Sequence, residues 1–260
     1  LFAVSILSMK LGAVHLSWGE VWSGLTSDSD PLARNIVWQI RFPRLLDAMI
    51  VGAALAVSGA LLQGVTRNPL ADPTILGGTA AAGLASATVI VIDPRVPQWG
   101  IAAACAGGGL VGAGVLFVIA YRGAVSPVRL ALAGVALSAF FGAAIVGLLA
   151  SSRTFLQTSL GFLAGGLYGS EWRDFRAMLP YIVPGFAGAM LLSGRLNILA
   201  LGDDIAAGLG VVTDRTRLAI LAVVGGLTAM AAATARPVSF VGLVCPHPAR
   251  NTVAGDNRAP

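Results

Sequence analysis

Residues 34–67 read RNIVWQIRFPRLLDAMIVGAALAVSGALLQGVTR. Arg41 and Arg44 bracket Phe42 and Pro43. From there to Arg67 no basic residue occurs, and Asp47 is the only acid. A hydrocarbon core about 30 Å thick is crossed by about 20 apolar residues in helical form, and residues 45–65 supply such a run from Ala, Gly, Val and Leu. The stretch reads as a charged edge fused to a membrane-spanning helix, with its arginines where the helix leaves the lipid.

The rest of the chain has the same character. Hydrophobic residues make up 56% and charged residues 11%, with a mean hydropathy of +0.82, whereas soluble domains carry about 25% charged residues. A soluble core protein is excluded. The 33 glycines suit helices in lipid, where small side chains let backbones touch. The pairs Gly108/Gly112 and Gly161/Gly165 are the expected contact points. A net charge of +5 raises the question of nucleic acid, but the arginines are scattered through loops between apolar runs and form no basic face, so no nucleic-acid partner is expected. Cys105 and Cys245 lie far apart in apolar stretches without metal-ligand spacing. Both read as buried free thiols.

Apolar runs separated by polar or Gly/Pro punctuation give about eight spans. A first run ends near Leu11, and 45–65, 74–92, 100–121, 128–150, 178–192, 218–234 and a short 238–250 follow. Helices are expected, because the runs are too continuous for barrel strands. The fold class is all-α, a polytopic helix bundle in a single domain over 1–260, and the sequence reads as truncated at both ends.

Three connections carry more than a turn. Residues 12–44 hold Trp18, Trp22 and Trp38, an interfacial belt signature. Residues 153–175 contain LGFLAGGLYG, too short to cross, which reads as a short helix lining a cavity mouth. Residues 194–217 read GRLNILALGDDIAAGLGVVTDRTR. Here Asp203 or Asp204 is placed to cap a small helix and Gly208 or Gly210 to end it. If the connections at Arg67, 122–129, 195–217 and 250–258 share a side, the basic residues divide eight against nine, so the positive-inside bias does not set the orientation.

The chemistry is sparse. Lys10 is the only lysine and no GxxxxGK[ST] loop surrounds it, so the chain builds no nucleotide site of that type. Neither His15 nor His247 has a second ligand at metal spacing. No nucleophile–base pair or carboxylate pair falls within the spans. The expectation is a non-enzyme with no cofactor and no metal. Intramembrane acids mark ion-coupled carriers and Asp47 alone qualifies. An ion-coupled secondary transporter acting without an ATPase is the alternative, and a membrane scaffold a third reading.

Longer strings bring in a family. IRFPR followed by VGAALAVSGALLQGVTRNPLADPTILGG, then LALAGVALSAFFGA, NILALGDDIAAGLGV and RPVSFVGLVCPHPAR with DNR, resemble in order the FecCD permeases of ATP-binding-cassette importers for ferric siderophores, haem and cobalamin. The resemblance implies a BtuC-like permease of ten helices, paired with a second copy or paralogue in the bacterial inner membrane. Two cytoplasmic ATPases and a periplasmic or lipoprotein binding protein would be its partners. It also implies that Arg41 and Arg44 dock carboxylates of the binding protein. The ATPase coupling loop would comprise Asp203, Asp204, Ala206, Ala207, Gly208, Leu209 and Gly210, with Ala206, Ala207 and Gly208 forming a small-residue face beside Leu209. On the same resemblance the translocation path would run past Leu163, Gly165 and Gly166, and family members continue past DNR through further helices.

Overall fold

The computed structural model describes residues 2–12, 14–27, 30–74, 77–121, 126–151, 166–167, 169–235 and 241–245. They form α1 (Phe2–Lys10), α2 (Trp18–Thr26), α3 (Pro31–Asn35), a π turn (Ile36–Arg41) and α4 (Phe42–Thr66). Then come α5 (Gly78–Ile92), α6 (Gln98–Ala120), α7 (Pro127–Ser151), α8 (Trp172–Ala200), α9 (Asp203–Gly208), α10 (Thr213–Ala235) and α11 (Val241–Val244). The all-α bundle agrees with the sequence. Five helical stretches among the described residues are long and apolar enough to cross a membrane: Pro31–Thr66, Gln98–Ala120, Val128–Ser151, Trp172–Ala200 and Thr213–Ala235. Helix α5 is a shorter apolar helix of 15 residues, and of the expected 238–250 span only α11 and Cys245 are described.

The second span begins earlier than its hydropathy suggests. Helix α3, the π turn and α4 run on as one stretch of 36 residues, with Pro43 inside it. Proline has no N–H and its ring crowds the preceding turn. The backbone answers by widening ahead of it, and the Phe42 N–H donates to the Val37 carbonyl, five residues back. Pro43 therefore sits in an adjusted helix and does not start one.

Helix α8 also exceeds expectation. It runs for 29 residues through Pro180 and Pro184, about 43 Å at 1.5 Å per residue. That is longer than the hydrocarbon core, so its ends project. The connection expected over 194–217 shrinks to 201–212, and Arg195 and Asn197 belong to the helix.

Close packing comes from the small residues. A Cβ on Gly108 would lie 2.6 Å from that of Ala85, and one on Gly112 2.6 Å from that of Ala81, so this pair seats α6 against α5. Gly109 faces the other way, 2.8 Å from the Gly225 carbonyl of α10 by the same construction. Gly161 and Gly165 lie outside the described residues. Helix α10 is central, touching α4, α5, α6 and α8; 61% of its most apolar window is buried, against 17% for α7. Leu227 and Met230 of α10 pack with Val51 and Leu55 of α4 and with Met178 and Ile182 of α8. The apolar side chains left exposed on α7, such as Leu132 and Phe140, suit lipid contact.

Cys105 is buried as expected, but Cys245 is exposed, because it follows a four-residue helix. Trp18 and Trp22 are exposed, consistent with a belt. Trp38 is not part of it: its ring stacks on Trp172, with centroids 6.4 Å apart, and its carbonyl accepts from the Trp172 indole N–H at 2.7 Å.

Candidate functional site

Two ends of the bundle carry the residues of interest. At one end, α4 stops where Arg67 turns left-handed (φ 50°), and Asx turns follow: the Asn68 side-chain oxygen accepts from the Leu70 N–H at 2.9 Å, and Asp72 from the Thr74 N–H at 2.8 Å. The 67–74 segment is thus the structural turn its Asn-Pro and Asp-Pro steps indicate.

Its first residue reaches across to α9. Arg67 donates through Nε and Nη2 to the Leu199 carbonyl, at 3.2 and 2.7 Å, and through Nη2 to Asp203 Oδ1 at 2.5 Å. Arg217 of α10 donates through Nη2 to both Asp203 oxygens, at 2.8 and 3.0 Å, with its side chain only 2% exposed. The Asp203 carboxylate thereby ties the end of α4 to the start of α10, and Arg67 adds the end of α8 through the Leu199 carbonyl. Burial pushes the Asp203 carboxyl up, but the hydrogen bonds and charge of Arg217, then of Arg67, outweigh it and hold the group below its ordinary value.

The local conformation differs from the sequence reading in two respects. The N-cap of α9 is Gly202 (φ 126°) with no side-chain cap; Asp203 and Asp204 lie in the first turn, and Asp203 is turned to the arginines. Gly210 (φ 79°) does end the helix. Ala206 is fully buried, packed among Leu196, Leu199 and Ile220, so it cannot meet a partner. The outward face instead carries Leu201, Ile205, Leu209 and Val212, each more than half exposed, beside the exposed Ala207 and Gly208. Ile205 was missed, although its i, i+4 spacing to Leu201 and Leu209 was available. An apolar row on a short connecting helix, fixed by an ionic clamp and lying outside the spans, is thus left exposed.

At the opposite end, Arg41 and Arg44 part company. Arg44 is exposed. Arg41 is turned inward at 8% exposure, its two guanidinium nitrogens donating to the carbonyls of Met9 and Val14, so the expectation that both point outward fails for Arg41. The π turn aims it at the segment after α1, and its charge-assisted bonds hold that segment on the bundle.

Near this end a cavity of about 220 Å³ is lined by Ser86, Gln98, Gly166, Gly169, Ser170, Asp174 and Thr234, among others. Gly166 (φ 121°) donates its N–H to the Ala235 carbonyl at 2.7 Å, which fixes the turn to the end of α10. Leu163 and Gly165, expected beside it, lie outside the described residues, as does His247. Among the described residues no cluster of three or more His, Cys, Asp or Glu side chains could hold a metal.

Comparison with known proteins covers the same length. Residues 1–260 match the FecCD transport family. The cobalamin import permease BtuC of Halobacterium salinarum is 37% identical over 252 residues, 94% of this chain and 68% of that protein. The Fe(3+) dicitrate permease FecD of Escherichia coli is 34% identical over 254 residues, 98% and 79% of the two chains. The ferric enterobactin permease FepG of Escherichia coli is 36% identical over 247 residues, 94% and 74%. A solved inward-facing structure of a metal-chelate type ABC transporter superposes with a TM-score of 0.85 at 28% identity, covering 99% of this chain and 80% of that one.

Proposed function

The chain belongs to the FecCD transport family, and from that premise we propose that it forms the transmembrane path of an ATP-driven importer for a ferric siderophore or a related metal chelate. The observation that carries this reading is the family match over the whole chain, joined to the exposed apolar platform at one end of the bundle. A secondary carrier acting alone has no use for such a platform. Relatives named for ferric citrate, ferric enterobactin and cobalamin support metal chelates as the substrate class. Two cytoplasmic ATPases, an external binding protein and a second permease copy complete the assembly, and the chain adds no nucleotide chemistry of its own.

In this proposal the Asp203 end faces the cytoplasm, in the cytoplasmic membrane of the cell. The row Leu201, Ile205, Leu209 and Val212, with Ala207 and Gly208, enters a groove on the ATPase, and Asp203 acts as a positioning residue through Arg67 and Arg217. The opposite end faces outward, where Arg44 meets the binding protein. Gly166 and the cavity beside it lie at the outer mouth of the path. Reconstitution of the full-length permease with its ATPase and binding protein in liposomes tests the reading. Uptake of a ferric siderophore that requires both ATP and the binding protein is expected; uptake driven by an ion gradient without ATP would overturn it.

A further inference from the structure

Asp47 is the one acid of its span, and the transport reading gives it no work. It is fully buried, and neither carboxylate oxygen makes a hydrogen bond. Its polar neighbours are the Ser170 hydroxyl, which stands beside it short of a hydrogen bond, and the Asp174 carboxylate on α8. Asp174 is already engaged, accepting from the Glu171 N–H at 3.0 Å with Arg173 close by. The other charges around α4 are placed elsewhere. Arg44 lies one turn back and is exposed. Lys10 of α1 sits over the Trp18 ring, 4.9 Å from its centroid. Arg129 is at the far end of α7, and residues 218–235 of α10 contain no ionisable side chain. No ion pair to Asp47 occurs among the described residues.

A carboxylate withdrawn from water that makes no hydrogen bond and has no counter-charge among the described residues is carried as the neutral acid. Ser170 and Asp174 line the 220 Å³ cavity together with Arg173, whose guanidinium lies 4.0 Å from Glu171, so a single residue separates Asp47 from a polar space large enough for water. We propose that Asp47 is a proton-binding site behind the outer cavity, where the bound proton lets the acid donate to Ser170 and so holds the turn around Gly169 and Ser170 on α4. Loss of the proton places a second negative charge beside Asp174 and pushes that turn, a wall of the cavity, away from the helix. Protonation then sets how closed the outer mouth is, an inference that rests on the transport reading only in calling that cavity a mouth.

The test uses the full-length permease with its ATPase, in lipid, and needs no transport. Infrared difference spectra between wild type and Asp47→Asn are expected to show one protonated-carboxyl C=O band in the wild type that bleaches as pH is raised. Because the fold favours the neutral acid, thermal stability of the wild type falls toward alkaline pH relative to Asp47→Asn, which is neutral throughout. If Asp47→Asn does not assemble, Asp47→Leu provides the same comparison. A wild-type spectrum without that band, or parallel pH–stability curves, would overturn the proposal. So would stabilisation of wild type alone by sodium at fixed pH, which would make the occupant a metal cation. Uptake failing while the band titrates would count against the transport reading and leave the proton site in place.

Discussion

At the scale of single residues, Asp203 joins two arginines that are far apart in the chain. Its carboxylate receives Arg67, which is partly exposed, and Arg217, which is buried, so replacing it removes an acceptor from the end of α4 and the start of α10 at once. Breaking a fully buried pair costs about 3–5 kcal/mol. The Asp203 side chain is 45% exposed, and solvent screening reduces the loss from Asp203→Asn to about 1–2 kcal/mol. Thermal unfolding of the purified full-length protein at neutral pH is the measurement. The pH dependence follows from the same arrangement. A carboxyl held below its ordinary value of 3.8 contributes stability that is fully present above that pH and is lost as pH falls through the lower value of the folded state. The wild type should lose its advantage over Asp203→Asn only below about pH 4, and an advantage already gone at pH 6 would contradict the clamp.

At the scale of elements, the ionic clamp decides which side of α9 is available to a partner. Leu209→Glu or Ile205→Glu places a charge on the outward row, where burial against a partner costs several kcal/mol. Either is expected to leave the permease in the membrane and cut ATPase co-purification. Ala206→Leu is expected to lower thermal stability instead, since Ala206 is fully buried. Undiminished ATPase recovery with both glutamate variants would remove the platform from the interface. The glycines of α6 give a second contrast. A Cβ at Gly109 would lie 2.5 Å from that of Ala229 and 2.8 Å from a backbone oxygen, whereas one at Gly114 meets nothing within 4 Å. Gly109→Ala should therefore destabilise through the α6–α10 contact. Gly114→Ala should be neutral or stabilise by up to about 1 kcal/mol from helix propensity, as read by thermal unfolding of the two variants side by side.

These elements also show how far sequence carries. The 45–65 run was legible because lipid demands an apolar stretch of fixed length, and the Gly108/Gly112 contact because close approach demands small residues. The start of that helix at Pro31 was not, since Pro43 and two arginines look like a boundary until the π turn is seen to absorb the proline. The small helix α9 was legible from its composition. Its facing was not, because Asp203 could cap the helix or pair with arginines far away in the chain, and only the fold brings Arg67 and Arg217 to it. Arg41 illustrates the same limit: the carbonyls that bury it belong to Met9 and Val14, and no local pattern announces them.

At the scale of the whole molecule, the two ends of the bundle are chemically unlike: an apolar platform at one, an exposed arginine and a polar cavity at the other. An importer that receives cargo from a binding protein outside and force from an ATPase inside calls for that asymmetry, and Arg44 is where the outer half is tested. It is exposed on a helix stiffened by the adjusted turn at Pro43, and its planar guanidinium suits a carboxylate on a partner. Charges at a docking rim act mainly on association rate and register, so Arg44→Glu is expected to slow binding-protein association and lower uptake while membrane insertion and ATPase co-purification stay intact. Lowering the salt should deepen the defect, because weaker screening strengthens the repulsion between like charges. Arg41→Ala should behave differently. With its bonds to Met9 and Val14 gone, the segment after α1 loosens and thermal stability falls, with no salt dependence in the association rate. If Arg44→Glu associates normally at low salt, Arg44 does no more than anchor its helix at the lipid headgroups, and the binding protein is seated by other residues of the outer end.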